Sequence, residues 1–600
     1  MTAANLPVRP FKWARLPIVA SAFLLLAFII LSAASKWIPD PSVGWSDPDS
    51  MMRLVEVRDF RSGQSWFDNT QYRLNPPVGV LMHWSRLIDA AMTGFSSLAG
   101  LVAGEVNAEV VLVNVWPPLL LIPLVSALAA AAYPVAGVPG AVVTVLVVLC
   151  SPVVTNNFQP GALDHHNVQL VLVAIVLAGL SRFARVGAGI AVGVAAGTSL
   201  AVGMEQLATI SVVAILVAVR WIWIGSAARS STVAFSATFS ITVCVLFLAS
   251  VGVERWLMPV CDALSISYLL PALVGGIGLA VIATLSETLF GDRLRQGPRA
   301  LAVFALAAVA VGSMAAYSPT CLAGPFAQVD PRLYPAWLDH VEEAQSLLFL
   351  SRNSPTDILV FLIPPALVLS GSLGAVRRVV PSEQFTMIAF AALLAVALLI
   401  AALQIRGAVT AQCIAAPVAA ILIIKLRSLI APSDRSLRGL PYRLGGIIFI
   451  PVVWLLLVVF LTAEGEAKVH KAEQAAACRG TLAKALGTRP PGVVAASSNL
   501  GSFLLATTPH AVLSAPYHRN TEGILAVTDL WAANLQDAQK IIERKGIRYI
   551  AVCAADSERG LFTALNAHGF LARITNSPPE WLSSILHIGG THLFEVRNGR

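Results

Sequence analysis

Asp47-Pro48-Asp49 follows closely on the first apolar stretch of the chain, and two carboxylates two residues apart can chelate a hard divalent cation through oxygen. The same spacing also suits a helix cap with a solvated second acid. A second polar string, Gln159-Pro160-Gly161-Ala162-Leu163-Asp164-His165-His166-Asn167, precedes another apolar run. There Asp164 either caps the helix or joins His166 in offering a carboxylate and an imidazole to one ion, a donor pair suited to Mn2+ as well as Mg2+. A third string, Trp337-Leu338-Asp339-His340-Val341-Glu342-Glu343, sets acids among aromatic and apolar residues, as an amphipathic surface helix would. Arg406 has no acid near it in sequence; it either reaches for an interface or holds an anion such as a lipid phosphate.

These strings are joined by membrane-spanning elements. The 600 residues are 56% hydrophobic and 12% charged, where a soluble domain is about 25% charged, and the mean hydropathy is +0.75. This excludes a soluble enzyme, a disordered chain, a fibre and a small disulfide scaffold. Lipid offers no partner for a free backbone polar group, so each apolar run of about 20 residues reads as a spanning helix; the sequence has about 13, from Leu16–Ser35 to Ile447–Leu461. The first is expected to be a retained span rather than a cleaved signal. Basic residues crowd alternate short loops, among them Arg9, Lys12, Arg182, Arg185, Arg220, Arg229, Arg299, Arg377, Lys425 and Arg427. A cytoplasmic N-terminus puts them inside and the tail outside. The +8 net charge is then mostly topology, with membrane lipids as its partner and no nucleic acid.

Residues 1–461 thus form the membrane domain, with long outer loops at 36–109 and 318–357, and 462–600 is the one stretch of soluble composition. Helical periodicity at Lys471–Leu486 and Leu535–Lys545 alternates with β-rich runs at Val493–Ala496, Ala511–Ser514 and Tyr549–Val552, which predicts an extracytoplasmic α/β domain able to fold by itself. Cys478 and Cys553 both lie in it, either as a disulfide or as two separate thiols. In the first loop Trp66, Phe67, Tyr72 and Trp84 offer ring faces for sugars or for packing.

The strings together resemble one family, the catalytic subunit of oligosaccharyltransferase and the wider C-type glycosyltransferases that use polyprenyl-phosphate-linked donors. Asp49 stands ten residues before the aspartate of Arg58-Asp59, as that family's first-loop acid does. Asp164-His165-His166 is similar to its Asp-x-His motif. His340-Val341-Glu342-Glu343-Ala344-Gln345 is similar to its Ser-Val-Ser-Glu-His-Gln-like motif, with Glu343 as the glutamate; the rival Thr284-Leu285-Ser286-Glu287 falls on the basic side. Arg406 resembles the arginine that holds the donor phosphate. The resemblance implies a polytopic α-helical membrane protein of about 13 spans with an outer α/β domain. It implies a metal site of Asp49, Asp164 and His166 for Mn2+ or Mg2+, Asp49 and Glu343 as catalytic groups, and transfer at the outer face of the cytoplasmic membrane. The acceptor stays open between protein, lipid and polysaccharide, because the family's Trp-Trp-Asp-Tyr-Gly sequon motif has no counterpart and Asp529-Leu530-Trp531 is not it.

Two other classes compete. A transporter or lipid-linked-sugar flippase would favour repeated halves and ionisable groups at the bilayer midplane. A scaffold without catalysis would tolerate joint loss of Asp49, Asp164 and Glu343.

Overall fold

The computed structural model describes residues 15–41, 47–290, 295–377, 379–429, 439–440, 444–462, 464–556, 558, 566 and 568–597, with the backbone alone at 15–18, 287, 290 and 464–472. Arg9, Lys12 and the side chain of Glu287 lie outside the described residues.

Among the described residues, seven helices are long and apolar enough to cross a membrane, eight if Pro355–Phe361 and Ile363–Val376, bent by 47°, count as one span. Shorter apolar helices run over Val19–Ser35, His166–Leu180, Val186–Val202 and Pro451–Leu461. Helix Glu105–Leu149 has 45 residues, and at Gly137 its backbone turns to φ 61°, ψ −159°, a conformation that favours glycine and divides it into two arms. The chain is therefore a multi-pass helical membrane protein.

In lipid, helices gain little from burying apolar side chains against each other, so close backbone approach matters more. Gly189, Gly193 and Gly197 form one stripe on helix Val186–Val202, facing helix Ser226–Ser250. A Cβ at Gly193 would lie 2.6 Å from the Phe235 carbonyl oxygen. Helix Gly407–Arg427 is buried along most of its length, and Gln412 on it accepts from Ser151 Oγ (2.6 Å) and donates to the Val360 carbonyl (2.8 Å). The interior of the bundle is thus pinned at a few polar points.

The tail carries a five-stranded sheet in the order Ala511–Val512, Val493–Ala495, Ile547–Cys553, Thr591–Val596, Leu582–Ile588; the first three strands run parallel and the last two antiparallel. The three expected β runs are strands, and the closing hairpin is an addition to the expectation. Successive strand side chains point to opposite faces, and the two faces bury different partners. Ile550, Ile547 and Phe594 pack beneath helices Thr521–Ala532 and Leu535–Lys545. Val494, Tyr549 and Leu593 pack with Leu500 and Phe503, and that core is completed by Met51, Met52, Val55 and Trp84 of the first loop. The expectation of a self-sufficient tail is revised accordingly, because one of its two cores is shared. Cys478 and Cys553 form a disulfide, and a second joins Cys261 to Cys321.

Helix Pro48–Arg61 lies between membrane domain and tail, which is why Ser50 through Val57 are all buried. Its buried Arg53 meets Asp89 (2.6 Å) and Glu56 (3.0 Å) and lies 4.5 Å from the centre of the Trp84 ring. Burying charge without partners would be prohibitive, and Asp89 also takes Arg86 (3.2 Å), so each arginine here has a carboxylate partner. Phe503→Ala, a substitution in the tail, should cost about 3–5 kcal/mol in thermal unfolding. Limited proteolysis should then cut the first loop faster than in the unmodified protein.

Candidate functional site

The first loop, the second polar string and the turn between two apolar helices converge at one end of the bundle. Asp47 caps helix Pro48–Arg61, accepting from the backbone N–H groups of Asp49 and Ser50 (both 3.3 Å), and Pro48 fills the first helical position, where no N–H is needed. Ser50 Oγ accepts from the backbone N–H of Leu163 (2.9 Å) and Asp164 (3.2 Å), which fastens the second string to the start of that helix. Tyr517 of the tail donates to the Pro48 carbonyl (3.1 Å) from the other side.

Asp164 is buried against two imidazoles. Its Oδ1 lies 2.6 Å from His165 Nδ1 and its Oδ2 3.0 Å from His166 Nε2. Glu205, on the short turn Met204–Gln206 between helices Val186–Val202 and Leu207–Ile224, meets the other two ring nitrogens: His166 Nδ1 at 2.8 Å and His165 Nε2 at 3.3 Å. His165, His166 and Glu205 each present a ligating atom within 4.8 Å of the others.

Glu343 sits exposed on the turn Glu342–Ala344. That turn is laced to the segment bearing Arg406: the Arg406 N–H donates to the Glu343 carbonyl (3.1 Å) and the Ile405 N–H to the Gln345 carbonyl (2.9 Å). The Arg406 guanidinium donates to Gln404 Oε1 (2.7 and 3.1 Å) and lies 4.9 Å from the centre of the Phe326 ring. It makes no ion pair among the described residues, which leaves guanidinium surface for an anion.

Electrostatics tie the acids together. Burial, then the carboxylates of Asp164, Asp47 and Glu343, push Asp49 well above the usual carboxylate range, against the pull of His166. Burial and Asp164 push Asp47 up to about 6. Burial would raise Asp164 too, but His165 and His166 outweigh it and hold that carboxyl below its ordinary range. Asp49, Asp164, His166 and Glu343, singled out from sequence, thus lie within electrostatic reach of one another, and Arg406 adjoins Glu343. Several hard oxygens beside an imidazole, with mutual repulsion that a cation relieves, fit a divalent metal.

His165 and Glu205 were not singled out. For Glu205 the signal was present: it is a lone acid in the short turn between two apolar runs. A second cluster also escaped. His83, Asp262 and His518 lie within ligating distance of one another, yet Arg519 grips both Asp262 oxygens (2.7 and 2.6 Å) and His518 Nε2 sits 2.5 Å from Oδ2. That grouping is an ionic clamp holding the tail to the loop beside the Cys261–Cys321 disulfide. Of the first-loop aromatics, Trp84 is packed edge-on against Tyr517, and Phe67 and Tyr72 are exposed. Trp66 donates to the Ala249 carbonyl. Leu530 and Trp531 are buried in the tail core.

No protein-family model and no curated sequence matches the chain. Its structure is similar to the archaeal oligosaccharyltransferase AglB of Archaeoglobus fulgidus. The form in complex with an inhibitory peptide and a dolichol-phosphate gives a TM-score of 0.68 at 13% identity, over 96% of this chain and 72% of that one. The form tethered to an acceptor peptide containing the NVT sequon gives 0.68 at 14%, over 98% and 74%. The complex with Zn and sulfate gives 0.62 at 14%, over 97% and 73%. At this identity the likeness is one of fold, and the resemblance read from the motifs holds at that level: the chain has the oligosaccharyltransferase-type architecture.

The clamp carries its own prediction. Burial would raise the Asp262 carboxyl, but hydrogen bonds from His518 and Arg519 outweigh it and hold the group well below its ordinary range. A depressed carboxyl stabilises above its unfolded pKa of about 4 and loses that contribution only as pH falls through the folded value. Arg519→Ala should cost about 1.5–3 kcal/mol at pH 7. It should also move the acid limb of the melting-temperature profile to higher pH.

Proposed function

We propose that the chain is an integral-membrane glycosyltransferase that moves a sugar or oligosaccharide from a polyprenyl-(pyro)phosphate donor to an acceptor at the outer face of the cytoplasmic membrane. What supports this reading is the coupling of Asp49 with Asp164, His166 and Glu343 in an oligosaccharyltransferase-type fold, with Arg406 bonded to the Glu343 backbone. In this reading the two arms of the helix divided at Gly137 and the four shorter apolar helices are taken as spans beside the other long ones, which gives about 13. An odd number of spans with a cytoplasmic N-terminus puts the tail and the site outside. Two disulfides at the same end as the acids support an oxidising compartment there. Gathering of the acids at helix ends, rather than at the midplane, favours a surface reaction over transport.

In this reading Asp49, Asp164 and His166 hold Mn2+ or Mg2+, which when bound neutralises negative charge developing on the leaving phosphate. Arg406 binds the same phosphate with a planar, permanently charged fork. A carboxylate of Asp49 or Glu343 takes the proton of the acceptor as it attacks the anomeric carbon. The donor class is supported by the dolichol-phosphate held by AglB. The acceptor is left among protein, lipid and polysaccharide.

Transfer from a polyprenyl-linked sugar should be abolished by chelation and restored by Mn2+. Asp49→Ala and Asp164→Ala should each lower kcat by orders of magnitude, because the lost interaction stabilises the transition state. Arg406→Ala should mainly raise the KM for donor. Full metal-dependent transfer by both aspartate variants would place the chemistry elsewhere.

A further inference from the structure

Two carboxylates and two imidazoles form a closed ring in this protein, Asp164 to His166 to Glu205 to His165 and back, with every ring nitrogen facing a carboxylate oxygen. An imidazole that ligates a metal through one nitrogen commonly gives its other N–H to a carboxylate, which fixes the tautomer and raises the basicity of the ligating atom. In a ring such as this, one carboxylate belongs to the metal and the other to the anchor.

The surroundings of the two acids differ. The backbone of Asp164 is bonded to Ser50, one residue beyond Asp49, and its carboxylate faces the first-loop acids. Glu205 approaches from the opposite side, from the turn between two apolar helices. Its neighbours hold that turn in place: Gln206 donates to Thr410 Oγ1 (2.9 Å), and the Gly203 carbonyl accepts from Gln169 (3.0 Å). A Cβ at Gly203 would lie 3.2 Å from His165 Nε2, so glycine lets the imidazole sit against the turn. Asp164 Oδ2 and His166 Nε2 are 3.0 Å apart, which is the spacing of two adjacent ligands that reach one ion at about 2.1 Å and at right angles.

We infer that Glu205 is a positioning residue for the metal site: it takes the Nδ1–H of His166, so that the Nε2 lone pair faces Asp164 and the first-loop acids. His165 completes the device by joining the remaining oxygens of Asp164 and Glu205. This inference rests on the reading of Asp164 and His166 as metal ligands and adds to it a residue outside the motifs of the resembling family.

The test is Mn2+ affinity of the full-length, metal-stripped protein in detergent, read as loss of the free Mn2+ signal by electron paramagnetic resonance. Glu205→Ala should weaken Mn2+ by about 10- to 100-fold. Glu205→Gln should keep most of the affinity, since its amide oxygen still accepts from Nδ1–H, whereas Asp164→Asn should lose nearly all of it. The melting temperatures of the metal-free Glu205 variants check that they fold. The inference is overturned if Glu205→Gln abolishes Mn2+ binding while Asp164→Asn retains it, because Glu205 is then the ligand. It is equally overturned if Glu205→Ala binds Mn2+ as the unmodified protein does, which makes the ring a structural ion pair. Failure of the unmodified protein to bind Mn2+ is a separate result and removes the metal reading itself.

Discussion

Carboxylates set side by side away from bulk water repel strongly: two like unit charges 4 Å apart repel by about 4 kcal/mol at an effective dielectric of 20. Much of the protein at this end of the bundle serves to hold them together regardless. Helix Pro48–Arg61 brings Asp47 and Asp49 in on its positive N-terminal end, which offsets part of that repulsion. It is kept from rotating by the Arg53 quartet at its centre and by apolar contact all round. His165 and His166 supply the other counterweight, each lying between two acids. Packing, the helix N-terminus and the two imidazoles thus oppose the repulsion together.

How far this was legible in the sequence depends on how local each signal was. The spanning helices show in the chain because lipid imposes one composition on every run of about 20 residues. Asp49, Asp164 and His166 were found because they sit at the ends of such runs, where an acid is conspicuous. Glu205 was equally conspicuous but belonged to no familiar string. Asp262, His83, His518 and Arg519 could not be joined by reading, because the clamp draws on three distant segments whose proximity only folding creates. The hairpin at Leu582–Val596 escaped because Ser583, Ser584 and His587 interrupt its apolar alternation, a pattern tolerated where one face is open.

The shared core has the same explanation. Composition marked 462–600 as soluble, and two of its helices and three of its strands were read there, while helices Ser498–Thr507, Thr521–Ala532 and Phe570–Asn576 were not. Composition is blind to which face a strand buries, however, and so could not show that Met51, Met52 and Trp84 complete the tail. In the structure helix Pro48–Arg61 is buried on all sides from Ser50 to Val57, the charged Arg53 and Glu56 included.

The edge strand Ala511–Val512 of the tail sheet does not end at solvent. The Asn75 N–H donates to the Val512 carbonyl (2.7 Å) and the Val512 N–H to the Arg73 carbonyl (2.9 Å), so the first loop adds one more piece to the sheet. Contacts of this kind link segments made at very different times: 448 residues separate Arg58 from the Ala506 carbonyl it reaches. At roughly 5–20 residues per second, ribosomes need on the order of a minute to cover that interval. Throughout it the first loop waits with its binding edge uncovered, exposed to pairing with other chains. Biogenesis therefore has a vulnerable interval that closes when the tail arrives and Tyr517 reaches the start of helix Pro48–Arg61.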